Sequence, residues 1–75
     1  MDTTREHIGE ADNLAKLRRF AQLAPQDPDV HLALARELLA KSQVEEAARE
    51  LHTVIALVPN HLEARKLLDQ VTRVF

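Results

Sequence analysis

Histidine side chains are the residues of this sequence that could hold a metal ion or move a proton, so their spacing comes first. None of the four stands at a spacing used by zinc sites: they are His7, His31, His52 and His61. The chain of 75 residues has no cysteine, which excludes a disulfide framework and a thiolate zinc site. We therefore predict no metal site and no cofactor.

Three glutamates, Glu45, Glu46 and Glu50, form the densest group of carboxylates. Glu46 and Glu50 lie one helical turn apart, which could suggest acid–base chemistry. Such chemistry needs two carboxyl groups in different environments, usually in a cleft, and a short helix with exposed charges provides neither. The sequence also has no glycine-rich phosphate loop. We predict no catalytic residue, and the chain is not expected to be an enzyme.

Charge and hydropathy restrict the partners. Lys16, Arg18 and Arg19 form a small basic cluster, which we interpret as the solvated end of a helix, where cations are favoured. The net charge of −2, with both signs interspersed, argues against a nucleic-acid partner, which needs a basic footprint. No apolar run approaches the length of a membrane span, so no membrane partner is expected. A cytoplasmic location is predicted, and a periplasmic one is also compatible with a chain that has no cysteine.

The spacing of apolar residues predicts an all-α fold. The chain has a single glycine, and no segment alternates with period two for long. We predict a helical hairpin over 28–59, whose second helix runs from about 43 to 57 and starts with a capping box of Ser42 and Glu45. Asp27 and Pro28 predict the start of its first helix. That helix is apolar on most sides, so it should be the central one.

Two further segments flank the hairpin. Residues 1–10 are predicted to be a flexible or short helical N-terminus, and residues 11–24 to be a helix. Asn60 is expected to cap a last helix over 61–74, with Glu63 in the position of its capping-box partner. The apolar stripe of this helix extends to Val74 and Phe75, which are expected to pack back on the core. The chain is thus one small domain of about four or fewer helices, with marginal stability.

The sequence also repeats at an offset of 34 residues. The matched pairs are Leu17 and Leu51, Phe20 and Val54, Ala21 and Ile55, Leu23 and Leu57, Pro25 and Pro59, and Leu34 and Leu68. A period of 34 residues built from helix pairs is typical of the tetratricopeptide repeat.

The hairpin resembles the tetratricopeptide repeat (TPR) family. The residues that carry this resemblance, at the spacing of the family pattern, are His31, Leu34, Ala35, Leu38, Ala47, Leu51 and Pro59. His31, Leu38 and Leu51 depart from the family, which has larger aromatic side chains there. The resemblance implies antiparallel helical hairpins stacked as a fragment of an α-solenoid. In that arrangement 28–59 is a complete repeat, 11–24 a half-repeat and 61–74 a capping helix.

The resemblance also implies a function, which is to act as a scaffold that holds a peptide or a helix of another protein in a groove. The groove residues at matching positions are Leu32, Arg36, Leu39 and Ala40 on the central helix and Lys66, Gln70 and Arg73 on the last one. Independently of the family, Leu32 and Leu39 lie off the main apolar stripe, with Arg36 one turn from each. This pattern suits an amphipathic or an acidic–apolar segment.

Two alternatives stay open at this point. In the first, the chain forms a homo-oligomer in which a second copy covers the same apolar face, or its own N-terminal residues cover that face. In the second, the hairpin is a helix-turn-helix that binds DNA. Glu45 and Glu46, at the start of the second helix, disfavour the latter because they would repel phosphates.

Overall fold

The computed structural model describes the backbone of residues 2–74 and the side chains of residues 13–73. This part of the chain forms four helices: α1 (Asp2–Leu23), α2 (Pro28–Ala40), α3 (Val44–Leu57) and α4 (Leu62–Val74). No strand occurs within residues 2–74, so the predicted all-α class is confirmed. The expected packing of Val74 and Phe75 concerns side chains outside the described part.

α1 is one helix from Asp2 to Leu23, whereas the sequence predicts two segments, 1–10 and 11–24. Its helical backbone continues through Gly9. A single glycine in a helix interior costs only about 1 kcal/mol relative to alanine, and it does not by itself end a helix. The predicted division of this region into a flexible N-terminus and a separate helix is therefore corrected.

α2 begins as predicted. The Asp27 side chain accepts a hydrogen bond of 3.0 Å from the backbone N–H of Asp29, and Pro28 occupies the first turn, where its missing N–H leaves no bond unmade. The short side chain at position 27 and the fixed φ of proline thus define the start of this helix. Its end at Ala40 is set by the joint that follows.

The joint between α2 and α3 reverses the chain through Ser42, which has a φ of 62°. The N–H of Gln43 donates to the Leu38 carbonyl at 2.8 Å and the N–H of Ser42 donates to the Leu39 carbonyl at 3.0 Å. These two bonds form a Schellman motif, in which the left-handed residue is usually glycine. The predicted capping box of Ser42 and Glu45 is wrong, because α3 is preceded by Gln43, which makes no side-chain cap bond.

α4 begins one residue later than predicted, and a different residue caps it. The Nδ1 atom of His61 accepts a hydrogen bond of 3.1 Å from the backbone N–H of Ala64, three residues on. His61 therefore takes the role that the sequence assigned to Asn60. The reason lies in the turn after Pro59, where the N–H of His61 donates to the Val58 carbonyl at 3.0 Å and helical geometry starts only at Leu62.

α2 and α3 run antiparallel, because His31 near the start of α2 contacts Glu50 while Leu38 near its end packs with Ala47 near the start of α3. Joints of three or four residues connect all the helices, which favours packing between neighbours in the chain. The most extensive packing is between α2 and α3, followed by α1 with α2 and α3 with α4. The hairpin is the centre of the fold.

The buried residues form two clusters that share α2. The α2–α3–α4 core contains Leu32, Ala35, Leu51, Val54, Ala64 and Val71. The α1–α2–α3 core contains Ala21, Leu34, Leu38 and Ala47. Leu39 packs against both clusters, so the predicted central position of α2 is confirmed. Among the described helices none is both long and apolar enough to cross a membrane.

Candidate interaction surface

His31 is the one polar residue that the described part of the chain buries, with 8% of its surface exposed. Its Nδ1 lies 2.7 Å from a carboxylate oxygen of Glu50 on α3, and its Nε2 lies 2.8 Å from the carbonyl oxygen of Pro25 in the joint after α1. The Pro25 carbonyl and an ionised Glu50 can only accept, so both contacts are hydrogen bonds when the ring is protonated and donates from both nitrogens. It thereby links the start of α2 to α3 and to the end of α1.

The environment of His31 acts on its pKa in two directions. Burial alone would lower the pKa of His31. The hydrogen bonds to Glu50 and Pro25, together with the charges of Glu50 and Asp27, more than compensate and raise the pKa of His31 above 6.5. The prediction that His31 is a packed residue of the hairpin is confirmed, but the sequence did not reveal its ion pair with Glu50.

This histidine has no free nitrogen for chemistry. A general base or a metal ligand needs a ring nitrogen that faces an open position, whereas both nitrogens of His31 are bonded to protein oxygens. Within residues 13–73 no group of three or more histidine or carboxylate side chains could hold a metal ion. The geometry of His31 is therefore that of a structural residue.

One arginine of the basic cluster forms an ion pair with one of the three glutamates, across two helices. Arg18 on α1 lies 2.9 Å from Glu46 on α3, and it also donates to the side chain of Gln43 at 3.4 Å. Glu50, one turn further along α3, is bonded to His31. We predicted a solvated helix end for the basic cluster, and Arg18 corrects this in part, because it ties α1 to the start of α3.

The two predicted stripes of partner-binding residues lie side by side. An ion pair between Arg36 on α2 and Glu63 on α4 joins the two helices. Glu63 lies on the same face of α4 as Lys66, Gln70 and Arg73, since these positions are three or four residues apart. We call the surface formed by Arg36, Leu39, Ala40, Lys66, Gln70 and Arg73 the α2–α4 face.

Leu32 does not belong to this face. It is only 7% exposed and packs in the α2–α3–α4 core with Ala64 and Val71. The expectation that it lies off the core is corrected, because α4 covers it. The sequence left open that the N-terminal residues or a second copy bury Leu32, and neither is needed.

The other predicted residues remain at the surface. Leu39 is half-buried, and Arg36, Ala40, Lys66, Gln70 and Arg73 are exposed. Arg73 lies 3.1 Å from Asp69, one turn earlier on α4. The α2–α4 face is thus less apolar than the sequence suggested, since Leu39 and Ala40 are its only apolar side chains. Two of its three cations, Arg36 and Arg73, are paired with Glu63 and Asp69.

Large apolar side chains are exposed elsewhere, at helix ends. They are Phe20 and Leu23 on α1, Leu57 on α3, Val58 in the following joint, and Leu62 at the start of α4. Leu23 and Leu62 are 75% and 72% exposed, and Phe20 is 50% exposed. The repeat offset pairs Phe20 with Val54 and Leu23 with Leu57, and by itself it did not show that Phe20 and Leu23 are exposed. The signal that could have found this exposure is the order of the helices. The offset aligns α1 with α3, and no described helix precedes α1 in the way that α2 precedes α3.

Comparison with known proteins identifies no relative: no family model matches the chain, and no curated protein or solved structure matches it.

Proposed function

We propose that this protein binds a segment of a partner protein on the α2–α4 face and carries out no chemistry of its own. The observation that supports this most directly is the ion pair between Arg36 and Glu63. It brings the exposed side chains of two helices onto one continuous surface. A partner segment lying across them would contact α2 and α4 at once.

The side chains of this face indicate the chemistry of the partner. Arg36, Lys66 and Arg73 are exposed cations, and the half-buried Leu39 lies next to the exposed Ala40. Acidic side chains would complement the cations, and small apolar side chains would cover Leu39. The proposed partner is therefore a peptide or an amphipathic helix that combines acidic and apolar residues.

The same proposal treats α2 and α3 as one TPR-like repeat, with α1 as a half-repeat and α4 as a capping helix. In support, Ala35 and Ala47 are completely buried at the two positions where the pattern needs small side chains. At an offset of 34 residues, Asp69 and Thr72 on α4 replace Ala35 and Leu38 on α2, and both are exposed. A polar outer face is what ends a stack of helical repeats. A cytoplasmic location remains part of this proposal.

The experiment is a selection of peptides from a display library on the immobilised protein. Selected peptides should combine acidic and apolar residues, and they should bind Arg36→Glu and Lys66→Glu about fivefold more weakly than the wild type, as expected when an exposed charge pair becomes repulsive. Arg49→Glu is the matched control, because Arg49 is an exposed arginine on α3 and lies outside the α2–α4 face.

All three arginine and lysine side chains are exposed, so each variant should keep the helical circular dichroism of the wild type. Peptides that bind folded Arg36→Glu and Lys66→Glu as tightly as the wild type would count against the α2–α4 face. A loss of binding in Arg49→Glu alone would move the site to α3.

A further inference from the structure

α1 carries an exposed stripe of two basic and two apolar side chains. Lys16, Phe20 and Leu23 follow one another at intervals of four and three residues, so they share one face, and Arg19 lies beside them. All four are exposed, with Phe20 at 50% and Leu23 at 75%. We call these four residues the α1 stripe.

The repeat offset shows which surface of the fold the α1 stripe corresponds to. Thirty-four residues later on α3, Glu50 stands in the position of Lys16, Val54 in that of Phe20 and Leu57 in that of Leu23. On α3 this surface is covered at Glu50 and Val54, whereas Leu57 at the helix end is 36% exposed. Val54 has no exposed surface, and Glu50 is paired with His31 of α2. Within residues 2–74, no helix lies against the α1 stripe in the way that α2 lies against α3.

We propose that the α1 stripe binds an amphipathic helix of a partner protein, in the position that α2 takes on α3, and that this helix carries a carboxylate opposite Lys16. The apolar side of the helix covers Phe20 and Leu23. The charge follows from the comparison with α3, where the cationic His31 faces the anionic Glu50. Lys16 carries a positive charge where α3 has the negative charge of Glu50, so the partner side chain that takes the position of His31 is acidic.

A second copy of this chain fits the stripe poorly. The helix of matching type that a second copy could offer is α4, and its residue 34 positions after His31 is Arg65, which would face Lys16 with the same charge. The positions of α4 that match the buried Ala35 and Leu38 are Asp69 and Thr72. They would place polar side chains against Phe20. Charge and hydropathy both favour a different protein.

This surface is separate from the α2–α4 face, since it lies on α1 and shares no residue with that face. A substitution can therefore disrupt binding at one surface without changing any residue of the other.

The test uses a synthetic helix that copies the sequence of α2. The probe is a fluorescein-labelled, hydrocarbon-stapled peptide of residues 27–41 with His31→Glu, and the matched control peptide carries His31→Lys. Stapling is needed because an isolated helix of this length is marginal in water. Binding to the protein is measured by fluorescence anisotropy. The wild type should bind the glutamate peptide about fivefold more tightly than the lysine peptide.

Protein variants then locate the site. Lys16→Glu should reverse the preference between the two peptides, and Phe20→Ala should weaken both by about tenfold or more, as expected for loss of a buried aromatic contact. Leu62→Ala is the matched control for loss of an exposed apolar side chain, and Arg49→Glu for charge reversal, because Arg49 is exposed on α3 and belongs to neither proposed surface. Neither should change the affinity for either peptide.

Three outcomes would overturn the proposal. One is equal affinity of the wild type for both peptides, or no binding of either. Another is binding that survives both Lys16→Glu and Phe20→Ala, which would mean that the peptide replaces the chain's own α2 on α3. The last is a homodimer that Phe20→Ala dissociates in sedimentation, which would show that a second copy covers the stripe.

Discussion

At the scale of single residues, His31 is the side chain whose role depends most on its surroundings. It joins three segments of the chain only while it is protonated, because a neutral ring would turn a lone pair towards either the Glu50 carboxylate or the Pro25 carbonyl. Two acceptors that face one imidazole thus make the packing of the hairpin dependent on a proton.

This dependence predicts how stability varies with pH. The pKa of His31 is raised in the folded state above 6.5, so its contribution is complete below pH 6.5 and is lost as the pH rises through the folded-state value. Urea denaturation of the wild type at a series of pH values should show a free energy of unfolding that falls across this range. His31→Gln should remove that part of the fall.

The control for this experiment is His52→Gln, since His52 is an exposed histidine on α3. It should keep the pH profile of the wild type. If His31→Gln and the wild type have the same slope with pH, the proton does not hold the hairpin together.

Ser42 offers a second prediction at this scale. A residue other than glycine at a φ of 62° costs roughly 1 kcal/mol or more, because its Cβ crowds the backbone in the left-handed region. Ser42→Gly should stabilise the protein by about 0.5–1 kcal/mol after the greater freedom of glycine in the unfolded chain is subtracted. Thermal and urea denaturation measure the gain. Ser42→Ala is the control, since it keeps the Cβ and should give no such gain.

Helix ends show how far the sequence alone could go. Asp27 and Pro28 were predictable because a cap and a proline at adjacent positions agree on one boundary. Ser42 and Asn60 have suitable side chains for caps, but each stands one residue before the actual N-cap position. That shift depends on the backbone path of the preceding turn, which side-chain types do not determine.

At the scale of helices, Leu51 connects the central hairpin to α4. It is completely buried in the α2–α3–α4 core, among side chains from all three helices. Leu51→Ala should lower the free energy of unfolding by about 2–5 kcal/mol, through lost burial and the cavity left behind. Urea denaturation measures this loss. The control is Leu62→Ala, because Leu62 is a leucine that is 72% exposed.

A midpoint of thermal unfolding for Leu51→Ala within one or two degrees of the wild type would contradict this placement, given that about 1 kcal/mol moves the midpoint of such a small domain by roughly 4–8 °C. An equal loss in Leu62→Ala would also do so, since it would mean that exposure does not distinguish the two leucines.

The order of the helices was predictable, whereas the contacts between their faces were not. Because α2 is apolar on most sides, the sequence indicated a neighbouring helix on each of two sides of α2. The two buried clusters that share α2 confirm this. The sequence could not show that α4 would cover Leu32, because the apolar spacing of α2 is the same whether a neighbouring helix or a partner covers that side. For the same reason the exposure of Phe20 was missed. Burial at these positions depends on which neighbouring helices the fold provides.

At the scale of the whole molecule, the shape favours partners. The protein measures 45 × 30 × 15 Å, so its longest axis is three times its shortest one. It exposes 5460 Å², whereas a folded monomer of this mass exposes about 4,700 Å². A flat stack of helices therefore leaves enough surface for the binding that we propose.

The last prediction concerns what occupies that surface when no partner is present. Light scattering across a dilution series should give the mass of a monomer, 8.5 kDa, at all concentrations. Self-association is disfavoured because α4, with Arg65, Asp69 and Thr72 at the positions that would meet the α1 stripe, offers like charge to Lys16 and polar side chains to Phe20. A mass that rises towards twice this value with concentration would contradict both surfaces as free binding sites. If Arg36→Glu or Phe20→Ala then restored the monomer, that variant would identify the face that the chain uses to bind itself, and the protein would be an oligomerisation module.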